Sequence, residues 1–259
     1  MKTPRFVLIL PARYESSRFP GKPLVEISGR TLIEWVYRRA SEVRGADGVV
    51  VATDHPAIAG AVEKFGGRAV MTSSGHRTGT DRVAEVAQGL DCDIVVNLQG
   101  DEPVFPPELI EEMVAVASRS EEIDIVTACH PVFDRGELEN PNVVKVVMDR
   151  SGRALYFSRL PIPLGAIASH GGRAAQSGRA AGGDLPVGYR HIGIYVFRRP
   201  SLLRLSALPQ APLELSEGLE QLRALEYGMM IHVVKTAQPT VGVDVPEDVK
   251  TVEKALGTA

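Results

Sequence analysis

Short apolar runs recur along the first hundred residues, and each is separated from the next by a stretch with helical spacing. Phe6-Val7-Leu8-Ile9-Leu10 is uninterrupted and ends at Pro11, the pattern of a strand buried on both faces. Residues 49–52, 68–72 and 94–98 read as further strands. Between them lie helical patterns over 31–43, with Thr31 as its N-cap, over 56–65 and over 81–90. Pro106-Pro107 opens another helix that runs to about Ser118, because proline is tolerated in a first turn. This alternation predicts an α/β fold, a mostly parallel open sheet with helices on both faces.

The rhythm changes after Glu122. Strand patterns at 123–127, 143–148 and 154–157 follow one another without long helices, which predicts an antiparallel section over about 123–197. Residues 165–188 are rich in Gly, Ala and Ser and read as a surface loop. Helices are expected at 201–208, 213–227 and 246–256, with a strand at 230–235. The 259 residues are read as one domain, 1–259, with the antiparallel section built onto it.

Charge narrows the partners. Lys+Arg 29 against Asp+Glu 32 gives a formal net charge of −3, so a nucleic-acid backbone is not an expected partner. The two cysteines, Cys92 and Cys129, are far apart with no CxxC, which suits a reducing compartment and not a thiolate zinc site. The first apolar run has five residues, too few for a signal-peptide core. No stretch reaches the ~18 apolar residues of a membrane span. The expectation is a cytoplasmic protein with no membrane insertion.

Ligands of open α/β sheets bind beyond the carboxyl ends of the strands. The segment leaving the first strand, Pro11 to Pro23, carries Arg13, Arg18 and Lys22 among prolines that keep it out of a helix. Such a loop can wrap a polyphosphate with backbone N–H groups set between fixed cations. It is neither a P-loop nor a GxGxxG turn, which disfavours the usual NTPases and dinucleotide enzymes. The fourth strand runs into Gln99-Gly100-Asp101-Glu102-Pro103, placing Asp101 at the crevice mouth. A carboxylate beside a polyphosphate calls for a divalent cation between them, and Mg²⁺ is the natural choice; a turn-capping role is the alternative. Asp244, in Gly242-Val243-Asp244-Val245-Pro246, is a second carboxylate of this kind, with the N-cap of the last helix as its alternative role.

These residues resemble the cytidylyltransferases that activate 3-deoxy-manno-octulosonate (Kdo), the CMP-Kdo synthetases. The likeness is carried by Pro11-Ala12-Arg13-Tyr14, Arg18-Phe19-Pro20-Gly21-Lys22-Pro23-Leu24 and Gly79-Thr80-Asp81-Arg82. It continues through Asn97-Leu98-Gln99-Gly100-Asp101-Glu102-Pro103, Asn142-Val143-Val144-Lys145, Ala154-Leu155-Tyr156-Phe157-Ser158-Arg159, His191-Ile192-Gly193-Ile194-Tyr195 and Leu219-Glu220-Gln221-Leu222-Arg223. The resemblance implies a Rossmann-like nucleotidyltransferase that joins CTP to Kdo for lipopolysaccharide biosynthesis, forming CMP-Kdo and pyrophosphate. A sialate or amino-Kdo cytidylyltransferase and a non-catalytic nucleotide-sugar sensor are the competing readings.

By the same resemblance Arg13, Lys22, Asp101 and Asp244 carry the chemistry, and the two aspartates hold Mg²⁺. CTP contacts fall to Pro11, Ala12, Arg13, Arg18, Lys22, His76, Gly79, Thr80 and Asp101. Sugar contacts fall to Gln99, Ser158, Arg159, His191, Tyr195, Glu220 and Gln221, with Arg159 pairing with the Kdo carboxylate. The antiparallel section is implied to form a homodimer. Repulsion between Asp101 and Asp244 without metal further suggests that Asp101→Asn raises the stability of the ligand-free protein.

Overall fold

The computed structural model describes residues 4–15, 19–164, 179–180, 183–238 and 240–257. Along the chain come β1 (Phe6–Ala12), a 3₁₀ turn (Lys22–Leu24), β2 (Glu26–Ile27), β3 (Arg30–Thr31), α1 (Leu32–Ala40), β4 (Gly48–Thr53), α2 (Pro56–Lys64) and β5 (Ala69–Met71). Next are α3 (Gly79–Gln88), β6 (Ile94–Asn97), α4 (Pro107–Arg119), β7 (Ile125–Val132), α5 (Arg135–Glu139), β8 (Lys145–Met148) and β9 (Ala154–Ser158). The chain ends with β10 (Arg179–Ala180), β11 (Gly183–Asp184), β12 (Gly188–Arg198), α6 (Arg199–Ala207), α7 (Pro212–Glu217), α8 (Gln221–Glu226), β13 (Ile231–Lys235) and α9 (Asp248–Ala255).

Two compact units divide these elements. The first comprises Met1–Val126, Gly193–Ala207 and Gln238–Ala259. Its centre is β1, paired in parallel with β4 on one side and β6 on the other, with β5 beyond β4. Leu8, Ile9, Leu10, Val51, Ala52, Val95 and Val96 are all buried, which is why these strands read as unbroken apolar runs. The last residues of β12 close this sheet antiparallel to β6, with Tyr195 opposite Asn97. The register sets Ile9 against Asn97 and Ala12 against Thr53, so the loops after β1, β4 and β6 leave from one end.

The second unit comprises Thr127–Ile192 and Leu208–Ala237. Here the antiparallel expectation is met: β8 pairs with β9 across a bulge at Val147/Met148, and β12 meets β8 at Arg190 and Lys145. Within the stretch expected to be a loop, β10 and β11 form a short antiparallel pair, and residues 165–178 lie outside the described residues.

Local departures from the sequence reading have physical causes. Thr31 does stand at the N-cap of α1, but its buried hydroxyl makes no capping bond. Helix α3 starts at Gly79, two residues early, because Thr78 and Asp81 form a reciprocal capping box. The helix expected over 213–227 is two helices, since Gly218 at φ +64° takes the left-handed conformation that ends α7. Helix α9 begins at Asp248 with Glu247 as its cap.

Between α7 and α8 lies a buried ion pair. Arg223 donates to Glu214 through Nε at 2.7 Å and Nη2 at 2.5 Å, a two-point fork with both side chains about 5% exposed. Burial pushes the Glu214 carboxyl up, but the Arg223 bonds and the Ala211 N–H outweigh it and hold it below its usual 4.5. The pair therefore stabilises the fold fully above pH 4.5, and that contribution is lost as pH falls through the depressed folded value. Glu214→Gln should cost about 3–5 kcal/mol at neutral pH, because it strands a buried guanidinium. Its urea midpoint should also depend less on pH on the acid side than that of the parent, measured from pH 7 downwards; equal acid dependence would contradict the assignment.

Candidate active site

The loop after β1 is shaped from within. Gly21, at φ +70°, returns its N–H to the Tyr14 carbonyl at 2.9 Å, and a Cβ there would touch the Tyr14 ring. Tyr14 stacks on His55 with ring centroids 4.1 Å apart, and His55 itself caps α2 through Nδ1. Arg13 is exposed at the start of this loop, Lys22 begins the 3₁₀ turn at its end, and Arg18 lies outside the described residues.

A cleft in the first unit is lined by Pro11, Ala12, Arg13, Lys22, Gln99, Gly100, Asp101 and Asp244, with His76, Thr78, Gly79 and Arg82 along another wall. It lies beyond the carboxyl ends of β1 and β6, as expected for an open α/β sheet. The crossing of these two strand ends is tight: a Cβ at Gly100 would stand 2.9 Å from the Pro11 carbonyl oxygen. Any larger residue would have to push the backbone apart.

Asp101 and Asp244, distant in sequence, are joined by backbone. Val104 and Val241 exchange hydrogen bonds at 3.4 and 3.0 Å, and Val243 N–H donates to the Asp101 carbonyl at 2.9 Å. Lys22 sits between the two carboxylates: its ammonium pairs with Asp101, lies 4.0 Å from Asp244 and donates to the Val243 carbonyl at 2.9 Å. The N-cap position of α9 falls to Glu247 and not to Asp244, whose backbone N–H donates with that of Val245 to the Asp248 carboxylate. Two hard carboxylates converging on one cationic point suit Mg²⁺. Among the described residues no cluster of three or more metal-ligating side chains exists, so such an ion would need substrate phosphates to complete its shell.

The remaining lining residues, His76, Thr78, Gly79 and Arg82, gather around the start of α3. The His76 ring pairs with Glu85, whose carboxyl is held below the ordinary range by that bond and by the Ser73 N–H. Its ring is thus anchored to α3. Gly79 lines the cleft as expected, whereas Thr80 is buried behind it against Asn97 at 3.4 Å. Thr78 and Arg82 also line the cleft, within the segment 76–82 that sequence reasoning gave to cytosine without naming these two individually. Arg82 is almost fully buried, donating to Asp54 at 2.7 Å and to the Thr72 hydroxyl. A cation inside the apolar pattern of α3 was the available signal.

The residues read as sugar contacts divide between the units. Gln99 and the half-buried Tyr195 belong to the first. In the second, Ser158 ends β9 and Arg159 follows it, Glu220 stands at the N-cap position of α8, and Gln221 is buried. His191 is buried against the Thr127 hydroxyl at 2.8 Å, and burial pushes its pKa down to about 3, so its imidazole is neutral.

A model of the cytidylyltransferase family matches residues 7–231. Among curated relatives, the 3-deoxy-manno-octulosonate cytidylyltransferase of Syntrophotalea carbinolica is 49% identical over 96% of this chain and 97% of its own. The 8-amino-3,8-dideoxy-manno-octulosonate cytidylyltransferase of Shewanella pealeana is 46% identical over 96% and 97%. A solved structure, CMP:2-keto-3-deoxy-manno-octonic acid synthetase complexed with CTP, superposes with a TM-score of 0.85 at 39% identity, covering 98% of each chain.

The position of Lys22 reverses one expectation of the sequence reading. Asp101 and Asp244 do not face each other bare, because the ammonium already offsets them. Asp101→Asn should therefore lower the stability of the ligand-free protein, by about 0.5–1 kcal/mol for a partly exposed pair. In a chain of this size that is a fall of roughly 2–4 °C in Tm at most. A raised Tm in differential scanning calorimetry would contradict this assignment.

Proposed function

We propose that this chain, which belongs to the cytidylyltransferase family, joins CTP to 3-deoxy-manno-octulosonate and releases pyrophosphate. The observation that carries the reading is the convergence of Lys22, Asp101 and Asp244 at the mouth of a cleft walled by Pro11–Arg13 and the start of α3. That arrangement supplies what nucleotidyl transfer from a triphosphate requires: cations for the phosphates, carboxylates for a metal, and main-chain groups to read a pyrimidine.

In the reaction the anomeric hydroxyl oxygen of the sugar bonds to the α-phosphorus of CTP. The bond from that phosphorus to the α,β-bridging oxygen breaks, pyrophosphate departs with the electron pair, and the hydroxyl proton passes to solvent. Arg13 and Lys22 would meet the charge that grows on the leaving group. Asp101 and Asp244 would hold Mg²⁺ jointly with phosphate oxygens; when bound, the ion screens the phosphates and lowers the pKa of the sugar hydroxyl. The backbone around Pro11, Ala12, His76 and Gly79 would read the cytosine edge, in keeping with the engaged ring of His76. Arg159 would take the sugar carboxylate, with Ser158, Gln99, His191, Tyr195, Glu220 and Gln221 as further sugar contacts. Of these, His191 acts as a neutral hydrogen-bonding group and not as an acid.

The relative acting on the 8-amino sugar favours a second reading in which the substrate is that close analogue. Assembly is proposed to be a homodimer through the second unit. Among the described residues, nine of the eleven exposed large apolar side chains belong to it, including Phe133, Leu160, Leu164 and Leu185. A need for CTP would favour a cytoplasmic location; no helix among the described residues is long and apolar enough to cross a membrane.

Pyrophosphate release should be abolished by EDTA and restored by Mg²⁺. Asp101→Asn should lose at least ~100-fold in turnover at saturating Mg²⁺, since it removes an anionic ligand from the developing charge. Near-normal turnover in that variant would sink the metal assignment. CTP should be preferred over UTP, ATP and GTP under subsaturating conditions, and equal rates with UTP would refute the cytosine reading. A panel of Kdo, its 8-amino analogue and sialate, assayed in parallel, decides between the substrate readings.

A further inference from the structure

Gly218 breaks the helical stretch after α7, and the break leaves Glu217 as the last residue of that helix. Its carboxylate accepts three donors from one short segment: the Ser158 hydroxyl at 2.9 Å, the Arg159 backbone N–H at 3.0 Å and the Tyr156 hydroxyl at 3.3 Å. Its own backbone carbonyl accepts Arg159 Nε at 3.1 Å. Burial acts to raise this carboxyl, but the Arg159 N–H and the two hydroxyls outweigh it and hold it below the ordinary carboxylate range.

Lys145 closes on the same residue from the other direction. It is fully buried, and its ammonium donates to the carbonyls of Val143 at 2.7 Å, Asn140 at 3.0 Å and Arg159. Arg159 Nη1 also donates to the Pro141 carbonyl at 3.3 Å. Arg159 is thus fixed at its N–H, its C=O and its guanidinium, although its side chain is exposed. Ordering a long exposed side chain costs up to about 2 kcal/mol, and burying an ammonium costs more; a surface turn requires neither.

The contacts also leave the useful face open. Carbonyl oxygens engage two of the five guanidinium N–H donors, and the three that remain are shared by Nη1 and Nη2. That end of the fork can take a carboxylate at two points. The Glu217 carboxylate does not cancel it, being engaged by hydroxyls and a backbone N–H. Lys145, Arg159 and Glu217 together keep one net positive charge.

We infer that Glu217, with Lys145 opposite it, is a positioning residue that presents Arg159 to the carboxylate of the acidic sugar. This rests on the proposed role of Arg159 as the sugar-acid anchor, and the test separates the two. Pyrophosphate release is followed with Kdo and CTP each varied, for the parent, Glu217→Gln, Arg159→Ala and the double variant. Glu217→Gln should raise the sugar KM at least ~10-fold, the scale of loss from a misplaced substrate-binding group, with the CTP KM within about twofold. The double variant should be no worse than Arg159→Ala alone, because the two act through one contact. An unchanged sugar KM in Arg159→Ala overturns the anchor reading and the inference with it. A raised sugar KM there, with an unchanged one in Glu217→Gln, overturns the inference alone. Sugar KM, CTP KM and Tm all worsening together in Glu217→Gln would show a merely structural role and overturn it equally. If Glu217→Gln does not fold, Tyr156→Phe decides: it removes one donor to Glu217 and should raise the sugar KM about threefold, the net worth of one long hydrogen bond, and no change overturns the proposal.

Discussion

Two carboxylates placed near each other at the mouth of a polar crevice repel, and they repel the phosphates of a nucleotide as well. In this protein Lys22 holds that repulsion in check. Its ammonium lies between Asp101 and Asp244 and is itself fixed by the Val243 carbonyl. The three charges occupy those positions only because the strand-like stretch 241–243 is hydrogen-bonded to the chain leaving β6. The same backbone contact therefore closes the first unit and assembles its most polar surface. Loss of either carboxylate is felt twice, once in the resting ion pairs and once in the chemistry proposed for the site.

The two units present their cations by different means. In the first, Arg13 and the ion-paired Lys22 stand on a loop across the cleft from the start of α3, an arrangement that would suit a triphosphate carrying its own metal. In the second, the half-buried Glu217 carboxylate and the buried Lys145 ammonium hold the Arg159 backbone while two carbonyls hold its guanidinium, an arrangement that would suit a planar carboxylate with fixed geometry. The relatives named for Kdo and for its 8-amino analogue differ in a substituent remote from that carboxylate. The acid anchor proposed for Arg159 would fit both sugars, and on that reading discrimination between them would come from other contacts.

Much of the fold was legible because burial on both faces writes itself into sequence as unbroken apolar runs. The strands β1, β4 and β6 and the helices α1, α2 and α4 all fall close to their expected positions. The antiparallel change after Glu122 was legible for the same reason, since no helical period separates β8 from β9. The break at Gly218 was not, because one glycine within an apolar periodicity is compatible with both a continuous helix and an end. Thr31 illustrates the opposite failure: the residue type suited a cap, but its hydroxyl is buried away from the N–H groups it was expected to serve.

By itself the sequence determined the sheet, the phosphate loop with Arg13 and Lys22, the carboxylate at the end of β6, and the family to which the chain belongs. These are encoded in contiguous residues, where spacing and residue type are enough. Only the tertiary structure decided that Lys22 bridges Asp101 and Asp244, that His76 turns its ring to Glu85, and that Glu217 and Lys145 together grip Arg159. The first and last bring together groups distant along the chain, and His76 and Glu85, although close in sequence, meet only because α3 starts between them. Which partners meet depends on strand order and on where a helix stops, and those are set by packing of the whole chain and not by any local pattern.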